Sequence, residues 1–308
     1  MSKITVIGSF VVDMVAKMER FPQAGETILG ESVNYFLGGK GINQCVSVAR
    51  LGGDAEMIGM LGDDENGKKF RELMNENGIK SESVFSCGYP TAVAQVQIDG
   101  NGQNRICVIP SANYIFDLKD VDKIDDKLKT TEIVLLQLEL KKEVVEEIIR
   151  RAHKYGKTVI LNPAPAQKLS DEILSMIDYI TPNETELAII SGEKTDSRAE
   201  VEKALERLLD KGVKAVVATL GKDGAVIARK NKKTSGSPYR VNVVDTVAAG
   251  DSFNGALAVA ISEGKSDEEI LRFANAMGAL TVSKNGAIPS IHTRKEVEEF
   301  LLTRKQTT

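Results

Sequence analysis

Asp245-Thr246-Val247-Ala248-Ala249-Gly250-Asp251-Ser252-Phe253-Asn254-Gly255-Ala256 separates two kinds of chain. Before it runs an extended Val/Asp stretch, Tyr239 to Asp245. After it comes an apolar segment of helical period, Phe253 to Ile261. The small residues at the break let bare backbone N–H groups approach a ligand, and the helix behind them points its positive end there. Such a corner binds anions, phosphate most naturally. Asp251 falls in the first helical turn, a poor place for a carboxylate if anion binding were the only task. It either caps the helix or acts as a base, taking a proton from a hydroxyl while the Ala249, Gly250 and Asp251 N–H groups hold a phosphoryl group. The Ala-Ala-Gly before it favours the base.

The rest of the chain supplies the setting. It has 308 residues, 42% apolar and 27% charged, enough for a sizeable α/β core. Net charge is −4 and no Lys/Arg-rich block occurs, which argues against nucleic acid. Cys45, Cys87 and Cys107 are odd in number and lack metal-type spacing, so they read as reduced thiols in the cytoplasm. Two histidines are too few for a His-built metal centre. No apolar run is long enough to span a membrane, and the start lacks a signal-peptide core.

Ile4 to Gly8 reads as a buried parallel strand, Gly41 to Leu51 as a helix, Glu56 to Leu61 as a strand and Lys68 to Asn77 as a helix. From Ile133 onward strands and helices alternate: strands at 133–138, 158–161, 178–181 and 215–219, helices at 142–155, 183–190 and 200–211. This rhythm predicts a doubly wound, mostly parallel α/β sheet with helices on both faces. Two stretches break it. Residues 13–36 are punctuated by Pro22, Gly25 and Gly30, and residues 91–109 hold a hairpin signal, Asp99-Gly100-Asn101-Gly102. They are expected to form a small β-sheet lid over one α/β domain spanning 1–308.

Gly62-Asp63-Asp64-Glu65-Asn66-Gly67-Lys68-Lys69 nearly matches a phosphate-binding P-loop, but the hydroxyl residue after the lysine is missing and three carboxylates would repel phosphates. It reads as a helix-start turn. Leu37-Gly38-Gly39-Lys40-Gly41-Ile42-Asn43-Gln44 precedes a helix; the glycines permit close backbone approach, and Lys40 and Asn43 offer donors to hydroxyls. The alternative is a glycine turn with a solvated lysine. Asp13, after the first strand, lies where α/β sheets bind ligands, and its two oxygens suit adjacent sugar hydroxyls. Glu139, ending a strand in Gln137-Leu138-Glu139, serves either helix capping or ligand binding.

Together these motifs resemble the ribokinase (PfkB) family of carbohydrate kinases, over nearly the whole chain. The resemblance implies transfer of the ATP γ-phosphoryl group to the primary hydroxyl of a pentose, O5 of ribose first, with Asp251 as base. By the same resemblance, Gly39, Lys40, Gly41, Asn43, Asp13 and Glu139 contact the sugar. Asn183 and Glu186 of Asn183-Glu184-Thr185-Glu186 lie near Mg²⁺. Thr219, Leu220, Gly221, Lys222, Asp223 and Gly224 run along the nucleotide, with Asn275 near the adenine. Asp245, Val247, Thr281, Lys284, Gly286 and Ser290 match positions around a monovalent cation, K⁺, and the lid is a common homodimer contact. Members often carry Gly-Ser-x-Asn-x-Asp at the first strand; here Val11 replaces the asparagine, as an apolar residue does in deoxyribokinases. A 2-deoxyribose kinase, another sugar kinase of the family, and a sugar- or nucleotide-binding regulator on the same fold are the alternatives.

Overall fold

In the computed structural model, which describes residues 3–304, the apolar run Ile133–Leu136 is a strand whose side chains serve two cores. Ile133 and Leu135 enter one, Val134 and Leu136 the other, as the two-residue repeat of a strand buried on both faces requires. In chain order the described strands are β1 (Lys3–Ile7), β2 (Val11–Lys17), β3 (Ser32–Gly38), β4 (Asp54–Gly62), β5 (Val84–Cys87), β6 (Val93–Ile98), β7 (Asn104–Ile109), β8 (Ile133–Leu136), β9 (Thr158–Leu161), β10 (Tyr179–Ile180), β11 (Ala215–Thr219), β12 (Ala225–Arg229) and β13 (Lys232–Gly236). The helices are α1 (Lys40–Arg50), α2 (Glu65–Glu76), α3 (Leu118–Lys123), α4 (Asp125–Thr130), α5 (Lys142–Lys154), α6 (Asp171–Ser175), α7 (Glu184–Ser191), α8 (Arg198–Asp210), α9 (Ala249–Ser262), α10 (Asp267–Val282) and α11 (Arg294–Thr303).

The main sheet runs β13-β12-β11-β10-β9-β8-β1-β4-β5. Every pairing from β11 to β5 is parallel; β12 and β13 close one edge as an antiparallel hairpin. Helices α1, α2, α9, α10 and α11 bury Ile42, Phe70, Leu257, Leu271 and Val297 against one face. Helices α3 to α8 bury residues such as Val121, Val145 and Leu205 against the other. The doubly wound architecture is therefore as expected. Among the described residues no helix is long and apolar enough to cross a membrane.

A second, four-stranded sheet stands apart, in the order β3-β2-β6-β7. Its register sorts its side chains into two faces. Asp13 pairs with Phe36 and Ala94, and Ala94 with Val108, so these point to one side together with Val11, two residues before Asp13. This sheet starts earlier than expected, at Val11. Asp13 therefore does not end the first parallel strand; it is the third residue of β2, because the chain leaves β1 at Ile7 and crosses over at once.

One further reading is refined and another holds. The extended run Tyr239–Asp245 pairs with no strand: the edge beyond β11 is already taken by the β12–β13 hairpin, and Val243 and Val244 are exposed. The near-P-loop is a helix start, as read. Asp64 caps α2 by accepting from Gly67 N–H at 2.7 Å, and its other oxygen accepts from Thr91 N–H at 2.7 Å.

Candidate active site

The anion corner comes first. Ala248 precedes α9 in a left-handed conformation, φ 60°, rare for a residue with a Cβ and a mark of local strain. The first N–H groups of α9 have no partner within the helix. That of Ala249 leans back on the Thr246 carbonyl at 3.3 Å, which leaves Gly250 and Asp251 as the better donors. A Cβ placed on Gly250 would meet nothing within 4 Å, so the folded chain itself does not demand glycine there. The space in front of it is open to a ligand.

Asp251 is 7% exposed, the third residue of α9. Its Oδ2 accepts from Asn43 Nδ2 at 2.9 Å and its Oδ1 from Gln44 Nε2 at 3.0 Å. Both donors come from the first turns of α1, which packs along α9; the Ser47 hydroxyl joins the same helices by donating to the Ser252 carbonyl at 3.0 Å. The Asp251 carboxylate does not cap its own helix. Its hydrogen-bond partners are neutral amides, which orient it without a direct ion pair.

Gly39 and Gly41 meet a packing demand of the fold itself. A Cβ on Gly39, whose φ is 100°, would lie 2.8 Å from Val11 N, and one on Gly41 2.4 Å from Ser9 N. These glycines let α1 press against the protein's own Gly8–Val11 backbone. Glu139 holds that helix end: its Oε2 accepts from the Lys40 N–H at 3.0 Å and from the Ser9 hydroxyl. Capping is thus part of its work, and Oε1 remains for other contacts. Burial pushes the Glu139 carboxyl up.

The Lys40 ammonium is drawn toward Asp251 first and then Glu139 and Glu186, which together hold its pKa above the ordinary lysine value despite burial. Asp13 faces the same space from the second sheet. Burial, then the charges of Glu139 and Asp251, push its carboxyl up to about 6. Around it Val11, 4% exposed, packs with Ala92, Ala94 and Val96 as an apolar floor on the Asp13 face. Asn43 Oδ1 is buried with no hydrogen-bond partner among the described residues.

On the other side of Asp251, Asn183 and Glu186 close a capping box at the start of α7. Each side chain accepts from the other's backbone N–H at 2.8 Å. Burial raises the Glu186 carboxyl. A bridge joins Asn183 to Thr219, placing the Thr219–Gly224 turn beside this helix start. The Nδ2 of Asn275 is spent on the Gly236 and Ser237 carbonyls, at 3.0 and 3.2 Å, so only its oxygen is left to a base. Asp245 ties two loops: its oxygens accept from Val247 N–H at 3.0 Å and Gly286 N–H at 2.9 Å. The Ser290 hydroxyl lies on the Ala287 carbonyl and the Thr281 hydroxyl on the Met277 carbonyl and the Ser252 hydroxyl, each keeping oxygen lone pairs beside the backbone carbonyls of these residues and Lys284.

A carboxylate beside open N–H donors, with a carboxylate-rich polar cleft on one side and a loop-lined corner on the other, suits phosphoryl transfer to a polyol. Residues 1–294 match the pfkB family carbohydrate kinases. The chain is 38% identical over 299 residues to a ribokinase of Haemophilus influenzae, covering 97% of this chain and 98% of that one.

The chain belongs to the pfkB family of carbohydrate kinases.

A deoxyribokinase of Salmonella typhi is 32% identical over 300 residues, 97% of this chain and 98% of that one. The structure of Arabidopsis thaliana ribokinase complexed with ribose and ATP superposes with a TM-score of 0.92 at 35% identity, covering 97% and 98% of the two chains. Against this family background, the sequence reading passed over Ser9, Gln44, Gln137 and Asn162, all buried polar residues packed behind the site. A signal was present: a glutamine inside the apolar face of a helix, and another at the end of a wholly apolar strand, each need an internal partner.

Proposed function

We propose that this carbohydrate kinase moves the γ-phosphoryl group of ATP to the primary hydroxyl of a pentose, ribose O5 in the first place. The single observation that carries this is Asp251, buried beside the open Gly250 N–H corner and held there by Asn43 and Gln44. The sugar would lie between Asp13, Asn43 and the free oxygen of Glu139, with its O5 against Asp251. The γ-phosphoryl would rest on the Gly250 and Asp251 N–H groups. O5 attacks phosphorus, Asp251 takes the O5 proton, the bond to the β-phosphate oxygen breaks and ADP leaves. The transition state is loose and the proton departs late, so a weak base in the right place suffices.

Asn183 and Glu186 would face the Mg²⁺ carried by the nucleotide. Glu186 keeps one oxygen outside its capping box, and that oxygen is the acceptor we assign to the waters of the metal's shell. For K⁺, the Asp245 carboxylate and the carbonyls of the 245–247 and 281–290 loops form a set of hard oxygen donors suited to an alkali cation. A cation there supplies positive charge behind the anion corner. Activity in K⁺ buffer should exceed that in Na⁺ or Tris buffer by about tenfold, the effect of ~1.4 kcal/mol at the transition state. Equal rates in the three buffers would remove K⁺ from this reading.

A second copy is the partner we propose for the second sheet. Phe36, Ile106 and Val108 are exposed apolar residues on the Asp13 face.

Val11 favours a second substrate as well. A wall that meets a hydroxyl with carbon discriminates by about 10² or less, whereas a hydrogen-bonding partner left unpaired rejects the analogue by ~10⁴ or more. The Val11 floor is of the first kind. Ribose and 2-deoxyribose should both be phosphorylated, with kcat/KM values within ~10² of each other. Val11→Asn should widen the ratio in favour of ribose. ADP release measured with ribose, 2-deoxyribose, fructose and adenosine on both proteins decides the matter. ADP release with none of the four would defeat the kinase reading, and an unmoved ratio in the variant would show that Val11 does not read the 2-position.

A further inference from the structure

Behind Asp251 lies a chain of amides buried away from solvent. Gln137 Nε2 donates to Gln44 Oε1 at 2.6 Å. Gln44 Nε2 in turn donates to Asp251 Oδ1 at 3.0 Å and to Asn162 Oδ1 at 3.1 Å. Asn162 Nδ2 donates to the Thr181 carbonyl at 3.2 Å. Gln44 is 0% exposed, Gln137 1% and Asn162 6%. The direction of each amide follows from its neighbour. With the Gln137 nitrogen against it, the Gln44 oxygen must point away from Asp251, and both Gln44 N–H bonds are thereby committed to acceptors. Gln137 Oε1 has no partner and lies against Gly8, where an added Cβ would come within 2.1 Å. Packing against a glycine, rather than a hydrogen bond, therefore fixes this end of the chain.

We propose that Gln44 is a positioning residue for phosphoryl transfer: backed by Gln137, it fixes the rotation of the Asp251 carboxylate so that one oxygen edge faces the sugar hydroxyl. The proposal rests on Asp251 as the base. Asn43 alone anchors Oδ2 and leaves the carboxylate free to turn about its Cβ–Cγ bond; the second anchor on Oδ1 removes that freedom. The choice of an amide is itself functional. A lysine or arginine in its place would orient the carboxylate equally well but would weaken it as a base, whereas an amide donates without adding charge. Each Asp251 oxygen keeps a lone pair for the sugar proton.

The test is a double-mutant cycle on kcat. Gln44→Met keeps the volume and loses both donors; it should lower kcat by ~10–10², the weight of one hydrogen bond to a charged group. KM for ATP should stay within about twofold, since uniform binding is untouched. In an Asp251→Asn background the same change should cost less than about twofold, because Gln44 then has no carboxylate to aim. An equal loss in both backgrounds, or none in the parent, overturns the proposal. If Asp251→Asn itself costs nothing, the base reading fails instead, so the two failures are distinguishable.

A second variant guards against misfolding. Gln44→Glu is isosteric, still accepts from Gln137, and sets a carboxylate against Asp251. Two carboxylates so close share a proton, and the acid limb of kcat should move up by at least ~1 pH unit. The other charged groups facing Asp251 are Asp13 on β2, Lys40 on α1, Glu139 after β8 and Glu186 on α7, and they are the same in both proteins. A lower melting temperature with an unmoved limb would mean that Gln44 only fills space, and the proposal would fall.

Discussion

Asp251→Asn should give a folded protein that still binds ATP and has lost ~10²–10⁴ in kcat, the usual weight of a general base. The fold should tolerate the change. Asp251 is not the cap of α9, and an asparagine oxygen can still accept from Asn43 or Gln44. The Gly250 N–H corner is backbone and stays in place. KM for ATP should therefore change little, while the chemical step loses its proton acceptor. Nucleotide binding by calorimetry alongside steady-state kinetics separates the two. Turnover within threefold of the parent would leave Asp251 as a structural carboxylate only.

Asp13→Asn should trade function for stability. In the folded protein the Asp13 carboxyl is raised to about 6, by burial first and then by Glu139 and Asp251. A carboxyl raised on folding holds its proton more tightly in the native state. Stability therefore falls as pH climbs from about 4 to about 6, and the full cost of the buried charge is present above that. The asparagine carries no such cost. The variant should be more stable than the parent by about 1–3 kcal/mol at pH 7.5, with the difference vanishing near pH 4. It should also lose ~10²-fold or more in kcat/KM for the sugar, since hydrogen bonds to a charged group are the stronger kind. In the parent, KM for the sugar should rise as pH drops through about 6, where the carboxylate takes up a proton. Thermal unfolding at the two pH values checks the first claim. A parent and variant that melt alike at pH 7.5 would show that Asp13 stores no such cost.

The parallel sheet was legible because β1, β8, β9 and β11 are short runs largely buried on both faces, and such runs are mostly apolar. The β12–β13 hairpin was not. Lys232-Lys233-Thr234 carries no apolar strand pattern, and it becomes a strand only because the edge of β12, itself laid on β11, is there to receive it. Short helices such as α3, α4 and α6 escaped for a similar reason: with five or six residues they show no full apolar period, and packing on the second core holds them. At the site, residue types announced Asp251, Gly250 and Asn43. The place of Asp13 could not be read, since its strand leaves the main sheet within three residues of Ile7. Nor could the purpose of Gly39 and Gly41, which depends on how near Ser9 and Val11 pass in the folded chain.

The second sheet enters the chain as two excursions. One, β2 and β3, leaves after β1 and returns at α1; the other, β6 and β7, leaves after β5 and returns before α3. Delete both and every pairing of the main sheet remains, because none of its strands bonds to the second sheet. Val11 and Asp13 ride on the first excursion, whereas Asp251, Gly250 and the loops around Asp245 belong to the main layer. Val11 and Asp13 therefore sit on a segment that can be lengthened, trimmed or redrawn without disturbing the main layer. A lineage built on this wiring can explore new acceptors while its chemistry stands still.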